Sequence, residues 1–190
     1  MKHRGVRVIA GSARGRRLAV PEHGVRPTKD MVREAVFSAL HARHSIVDAS
    51  VLDLYAGTGA YGIESISRGA ARAVLVERER IAANIVTENV AMVGFADRAR
   101  VLREDAARFV VGPRPREAPF DLVFADPPYD AADDDIAAVL TGLTTADLLS
   151  ADAYVVLERP ERTPSDPPAG FEVGWERAFG DTLVFFLQTN

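Results

Sequence analysis

Between residues 50 and 158 short apolar runs alternate with stretches of helical periodicity. The apolar runs are Val51-Leu52-Asp53-Leu54, Ala73-Val74-Leu75-Val76, Arg100-Val101-Leu102, Leu122-Val123-Phe124-Ala125 and Tyr154-Val155-Val156-Leu157. The stretches from about 60 to 68 and 79 to 93 carry apolar residues at three- and four-residue spacing, as one buried helix face requires. Alternating strand and helix at this spacing predicts right-handed βαβ units and a parallel sheet covered on both faces. A proline-rich loop at 159–170 interrupts the pattern. Two extended runs follow, from Phe171 to Arg177 and from Thr182 to Leu187, with turn-like 178–181 between them. They are expected to pair as an antiparallel hairpin at a sheet edge.

The first 45 residues read differently. Val6, Val8 and Ala10 lead into turn chemistry at 11–15, and 17–20 is extended again until Pro21. That pattern predicts a β-hairpin with arginines at its tip and edges. A helix is expected from about 28 to 43. Thr28 is its cap, Asp30 sits in its first turn, and Met31, Val32, Ala35, Val36, Ala39 and Leu40 form one apolar stripe, with Lys29 and Arg33 off it. The chain thus divides into a small extension, 1–45, and a main domain, 46–190.

Charge changes the picture. Net charge is −4 over 190 residues. Residues 1–43 hold ten Lys or Arg against Glu22, Asp30 and Glu34, about +7, so the remainder is about −11. Such asymmetry marks a nucleic-acid-binding segment on an acidic domain. The chain has no cysteine, which excludes disulfides, thiolate metal sites and a cysteine nucleophile. The four histidines, His3, His23, His41 and His44, lack carboxylates at ligand spacing, so no metal site is expected. No apolar run approaches the ~20 residues of a membrane span. A soluble, cytoplasmic protein is expected.

Two stretches carry candidate chemistry. Asp53-Leu54-Tyr55-Ala56-Gly57-Thr58-Gly59-Ala60-Tyr61-Gly62 follows the first strand of the sheet and contains G-x-G-x-x-G. Glycines there permit a tight turn and close approach of a ligand to a helix N-terminus. Dinucleotides and S-adenosylmethionine both use such a loop. Asp53 would repel a pyrophosphate but not a cofactor with an ammonium and a sulfonium. Glu77, followed by Arg78, ends the second strand, where a carboxylate can accept both ribose hydroxyls. Asp105, followed by Ala106, ends the third, where a carboxylate can accept an adenine amino group or simply cap the next helix. S-adenosylmethionine is the cofactor expected.

The second stretch is Asp126-Pro127-Pro128-Tyr129, at the end of the fourth strand. The prolines stiffen the backbone and prevent its continuing as a central strand. A carboxylate, a bare carbonyl at Pro127 and the flat ring of Tyr129 suit a planar base bearing an amino group. Carbon-5 pyrimidine methylation by the usual route needs a cysteine nucleophile, which this chain lacks. An exocyclic amine is therefore the better target, and a paired base must first be flipped out. The short acidic group Asp130, Asp133, Asp134 and Asp135 is expected to cap and charge the next helix.

The parallel βα units ending in an antiparallel hairpin match the Rossmann-like seven-stranded sheet of class I methyltransferases. Over nearly its whole length the chain resembles the bacterial 16S ribosomal RNA guanine-N2 methyltransferases of the RsmD type. The matching blocks are Arg7-Val8-Ile9-Ala10-Gly11 with Arg14-Gly15-Arg16, and Arg26-Pro27-Thr28 with Val32-Arg33-Glu34 and Phe37. Next come Leu52-Asp53 with Ala56-Gly57-Thr58-Gly59-Ala60, then Gly62-Ile63-Glu64 with Ser67-Arg68-Gly69-Ala70, and last Asp126-Pro127-Pro128-Tyr129. The resemblance implies methylation of a guanine N2 amine in 16S rRNA, at guanine 966, in the small subunit or an assembly intermediate, by a monomer. It implies cofactor contacts from Asp53, the glycine loop, Glu77 and Asp105. It places Asp126, Pro127 and Tyr129 at the reacting base. Pro128 and the basic residues Arg14, Arg16, Arg17, Arg26 and Lys29, with Thr28, are expected on the RNA.

Two other readings compete. DNA adenine-N6 and cytosine-N4 methyltransferases use the same tetrapeptide, although 190 residues leave little room for a target-recognition domain. A non-catalytic assembly factor is disfavoured by an intact tetrapeptide beside an intact cofactor loop.

Overall fold

The computed structural model describes residues 6–21, 30–43, 46–161 and 169–189. Among these, the chain forms α1 (Asp30–His41), β1 (Ser50–Leu54), α2 (Ala60–Ser67), β2 (Arg72–Val76), α3 (Arg80–Met92) and β3 (Ala99–Leu102). It continues with α4 (Ala106–Val111), β4 (Phe120–Ala125), α5 (Asp133–Thr145), β5 (Leu149–Pro160), β6 (Phe171–Phe179) and β7 (Thr182–Thr189). The seven strands make one sheet in the order β3-β2-β1-β4-β5-β7-β6. The first five are parallel, and β7 runs antiparallel to both β5 and β6. This is the Rossmann-like class I methyltransferase sheet with its antiparallel C-terminal hairpin.

The sheet holds because its strands are apolar on both faces. In β4, Leu122 and Phe124 point into one core with Val36, Phe37 and Ile63, while Val123 and Ala125 point into the other with Leu140 and Leu143. That is the period-two alternation of a strand covered on two sides. In β1 the alternation puts Leu52 and Leu54 on the α4–α5 side and Asp53 on the α2 side, where it is buried. Strand order reverses between β1 and β4, so a crevice opens at their carboxyl ends.

The hairpin expected at 6–20 is present but short: Leu18 N–H bonds the Val6 carbonyl (2.8 Å), and Val8 N–H bonds the Arg16 carbonyl and Gly15 N–H the Val8 carbonyl (both 2.9 Å), around the bridge of Arg7 with Arg17. Its turn also docks on α2. Glu64 accepts the Ile9 and Ala10 N–H groups (2.7 and 2.9 Å), Ser67 Oγ accepts Ala13 N–H (2.9 Å), and the Ser67 carbonyl accepts Ser12 N–H (2.8 Å). Those donors are satisfied outside a ladder. The α1 stripe is rotated from the expected one. Met31 is 62% exposed, whereas Arg33 is fully buried with Val32, Val36, Phe37 and Leu40. Burial of Arg33 is sustained by bonds to the Arg7 carbonyl (2.6 Å) and Asp30 Oδ1 (3.0 Å). The expected cap Thr28, together with Arg26 and Lys29, lies outside the described residues.

At the other end β6 runs on through Phe179, which is buried, so the turn is only Gly180-Asp181. Gly180 takes φ 65°, a left-handed value glycine adopts readily. β5 extends well before and beyond 154–157. Helix α5 is charged by Asp133, Asp134 and Asp135 in its first turn but is not capped by them, since its N-cap is Ala132 and no side chain bonds there. Among the described residues no helix is long and apolar enough to cross a membrane.

Candidate active site

The carboxyl ends of β1, β2, β4 and β5 surround a cavity of about 310 Å³, within the size range of small-molecule sites. Its floor is the loop after β1. Asp53 lies under that loop and accepts the Gly62 N–H at 2.9 Å. The loop turns because three of its residues adopt positive φ: Tyr55 (60°), Gly57 (59°) and Gly59 (76°). At Gly59 a Cβ would press against Val86, Leu75 and Ile63 at 3.0–3.3 Å, so this glycine serves both the turn and the packing of helix on sheet.

Glu77 holds the loop from the next strand. Its Oε2 accepts the Gly57 N–H (2.9 Å) and its Oε1 accepts the Glu79 N–H (2.8 Å). Asn89 on α3 fixes the loop from behind. It donates to the Thr58 carbonyl (2.9 Å) and pairs both ways with the Ala19 backbone (2.7 and 3.0 Å). Nothing in the sequence pattern singled out Asn89, a polar residue within a helix.

Of the expected cofactor residues, Asp53, Ala56, Gly57, Thr58, Ala60, Glu77, Arg78 and Ala106 line the cavity. Asp105 does not. It caps α4, with Oδ1 accepting the Ala107 and Arg108 N–H groups at 3.0 and 3.3 Å, which is the capping alternative its position had left open. Gly59 acts through the turn. Asp126, Pro127, Pro128 and Tyr129 all face the cavity, and Tyr129 stands 63% exposed at its mouth. Val51 to Leu54 pair in register with Leu122 to Ala125, so Asp126 emerges beside the loop that follows Asp53. Arg14, Arg16 and Arg17 are exposed on the N-terminal segment and do not line the cavity.

Several cavity residues escaped the sequence reading, Glu158, Tyr61 and Arg159 among them. Glu158 on β5 is buried and lines the cavity. Ala125 pairs with Leu157, so Glu158 stands next to Asp126 at the ends of adjacent strands. Tyr61 on α2 donates its hydroxyl to Glu158 Oε1, and its ring stacks on Phe124 with centroids 4.4 Å apart. Arg159 donates through Nη2 to Asp133 Oδ1 (2.6 Å) and to the Ala131 carbonyl (3.3 Å). It thereby ties the chain just after Tyr129 to β5.

The carboxyls of Asp53, Asp126 and Glu158 crowd one side of the cavity. Burial pushes the Glu158 carboxyl up to about 8, and Asp126 and Asp53 add to the rise, while the Tyr61 hydroxyl and the Arg33 guanidinium oppose it. Burial likewise raises Asp53 well above the usual carboxylate range, opposed by the Gly62 N–H and reinforced by Asp126 and Glu77. The Tyr61 hydroxyl is raised by burial and by Glu158. Perturbed carboxyls gathered in a cleft mark functional sites. A cavity walled by carboxylates suits a ligand with positive charge, ribose hydroxyls and amino groups. Among the described residues no group of three or more His, Asp or Glu could hold a metal ion.

Comparison with known proteins gives this geometry its context. A family model described as "Conserved hypothetical protein 95" matches residues 6–188, nearly the whole chain. The chain belongs to this family, that of the RsmD-type class I methyltransferases. The "Ribosomal RNA small subunit methyltransferase D" of Escherichia coli K12 is 42% identical over 125 residues, and the match spans 65% of this chain and 60% of that relative's length. The "Putative rRNA methyltransferase YlbH" of Bacillus subtilis is 36% identical over 154 residues, covering 80% of this chain and 82% of that protein. A solved structure, "Putative methyltransferase yhhF from Escherichia coli", superposes with TM-score 0.84 at 34% identity and covers 98% of each chain. In this RsmD-type chain the blocks 7–11 and 62–70 touch each other, through Glu64 and Ser67.

Proposed function

We propose that this protein methylates the exocyclic N2 amine of a guanine in small-subunit ribosomal RNA, in the cytoplasm, using S-adenosylmethionine. The observation carrying this reading is that Asp126, Pro127 and Tyr129 line one cavity with the glycine loop at the strand switch point. The relatives named for rRNA methylation favour RNA as the substrate, and so does the basic first fifth of the chain.

The residues present suit the cofactor. Asp53 and Glu77 are acceptors in a cavity floored by backbone N–H groups at the start of α2, and their charge favours a cation. When bound, S-adenosylmethionine supplies an electrophilic methyl group on sulfur. The protein's part is positioning. Asp126 and the Pro127 carbonyl accept hydrogen bonds from the amino protons, which holds the N2 lone pair toward the methyl donor. Tyr129 stacks on the flipped base at the mouth, with Pro128 beside it. Asp126 or water takes the proton that N2 releases. Catalysis of this kind rests on orientation and electrostatics, with no covalent enzyme intermediate. Arg14, Arg16 and Arg17, with Arg26, Thr28 and Lys29, supply contacts to the RNA backbone and set its register. Arg78 and Ala106 border the cofactor, while Asp105 serves as the cap of α4.

Tritiated-methyl transfer to undermethylated small subunits, naked 16S rRNA and DNA, run in parallel, tests the substrate class. Label is expected in the subunit or its RNA. Labelling of DNA alone would overturn the reading in favour of a DNA amino-methyltransferase.

A further inference from the structure

Guanine differs from the other amino-bearing bases beside its amine. Its ring N1 carries a hydrogen, whereas adenine N1 and cytosine N3, next to their amines, are acceptors. The amine and N1–H together present three protons in a row. The residues lining the cavity there are rich in acceptor groups: Asp126, Pro127, whose backbone offers only a carbonyl, and, one strand over, Glu158. Leu157 pairs with Ala125 in parallel register, so Glu158 and Asp126 leave their strands side by side. Tyr61 fixes the Glu158 side chain by donating to Oε1, and the Tyr61 ring is itself stacked on Phe124. Glu158 is 5% exposed yet lines the cavity.

Building on the guanine-N2 reading, we propose that Glu158 determines base specificity, its carboxylate accepting N1–H of the target guanine while Asp126 and the Pro127 carbonyl hold the amine. A buried carboxylate that accepts N1–H rejects a base with an acceptor there, because two acceptors would face each other unpaired. The same bond draws the N1 proton away from the ring and raises electron density on the conjugated N2, so recognition and activation coincide.

The groups facing Glu158 set its pH behaviour. Asp126 after β4 and Asp53 on β1 crowd it with negative charge, while Tyr61 on α2 and Arg33 on α1 relieve it. In the free protein the carboxyl therefore keeps its proton up to about pH 8. A guanine requires that proton to leave. A base with an acceptor at N1 requires it to stay.

The test uses small-subunit RNA carrying either guanine or 2-aminopurine at the methylated position. 2-Aminopurine has the same amine but an acceptor at N1. Wild-type kcat/KM for guanine should rise about tenfold per pH unit and level off at or below about pH 8, since a cationic cofactor favours the charged carboxylate. For 2-aminopurine it should fall over the same range. Glu158→Gln, whose amide can donate, should lower guanine transfer about 10- to 100-fold. It should also flatten both profiles and narrow or invert the preference. Unchanged preference and unchanged profiles in Glu158→Gln, with cofactor affinity intact by calorimetry, would overturn the assignment. Should that variant not fold, Tyr61→Phe decides. Loss of the donated bond should move the guanine midpoint to higher pH, and an unmoved midpoint would count against Glu158. Wild-type formation of N2-methylguanosine is scored separately, so failure of the underlying function and failure of the Glu158 role are distinguishable.

Discussion

At the residue scale, the proposed chemistry rests on Asp126. Asp126→Ala should leave S-adenosylmethionine affinity within a few-fold, because Asp53, Glu77 and the glycine loop remain. It should abolish methyl transfer. Calorimetry and single-turnover transfer check the two halves, and retained turnover would remove Asp126 from its role. Glu158 makes a stability prediction of its own. Its folded-state carboxyl stands at about 8 against an ordinary 4.5. An unfolded chain has lost that proton above about 4.5 while the folded one keeps it. Stability therefore falls as pH rises between those values, by up to about 1.4 kcal/mol per pH unit, and no further above the folded value. Glu158→Gln lacks this slope. Melting temperatures of variant and wild type should lie closest near pH 4.5 and separate toward pH 8 with the variant higher. Parallel curves would show that Glu158 does not titrate in this way. Asp126 was legible in the sequence because it ends an apolar run at a pair of prolines, and Asp53 because it sits within a strand end four residues before the first glycine of the loop. Glu158 and Tyr61 were not. Glu158 follows an apolar run with nothing unusual after it but Arg159 and Pro160. Only the β4–β5 register places it against Asp126.

At the scale of elements, the N-terminal segment is docked on α2 by side chains and backbone together. Gly11 has φ 81°, and a Cβ there would meet the Ser67 carbonyl oxygen at 1.7 Å. Backbone cannot yield that much, so Gly11→Ala should lift residues 9–13 from α2. The bonds to Glu64 and Ser67 would go with it, at a cost of roughly 2–4 kcal/mol. That corresponds to a fall in melting temperature on the order of 5–15 °C for a chain of this size, measurable by calorimetry. A change within a degree would show that the contact is not needed. The sequence displayed turn chemistry here and invited a hairpin. It could not show that the turn's N–H groups are consumed by Glu64 and Ser67, more than fifty residues away. The α1 stripe failed for a related reason. Helical spacing gives a face but not the partner, and Arg33 is buried because Arg7 and Asp30 supply acceptors. Most of the strands and helices from 50 to 158 were legible, since burial on both faces leaves an apolar signature in β1, β2 and β4; β5 outran its apolar run, and β3 is only partly buried.

At the scale of the whole molecule, charge is segregated along the chain. Arg14, Arg16 and Arg17 stay exposed on a segment pinned to the same core as the catalytic domain. Reversing all three to Glu should weaken binding to small-subunit RNA and lower the slope of log affinity against log salt by up to about three, because three phosphate contacts are lost. Unchanged affinity and slope would mean that these arginines only solvate the surface. The fold class and the cofactor loop were legible from pattern alone. The guanine target rests on family resemblance, and the contacts proposed for Asp126, the Pro127 carbonyl and Glu158 would give it a physical rationale. Nucleoside analysis by mass spectrometry of undermethylated small-subunit RNA, after reaction with the protein and S-adenosylmethionine, tests that most directly. N2-methylguanosine, formed at one position and absent with Asp126→Ala, is the result expected. N6-methyladenosine or N4-methylcytidine, or no methylated nucleoside at all, would contradict it.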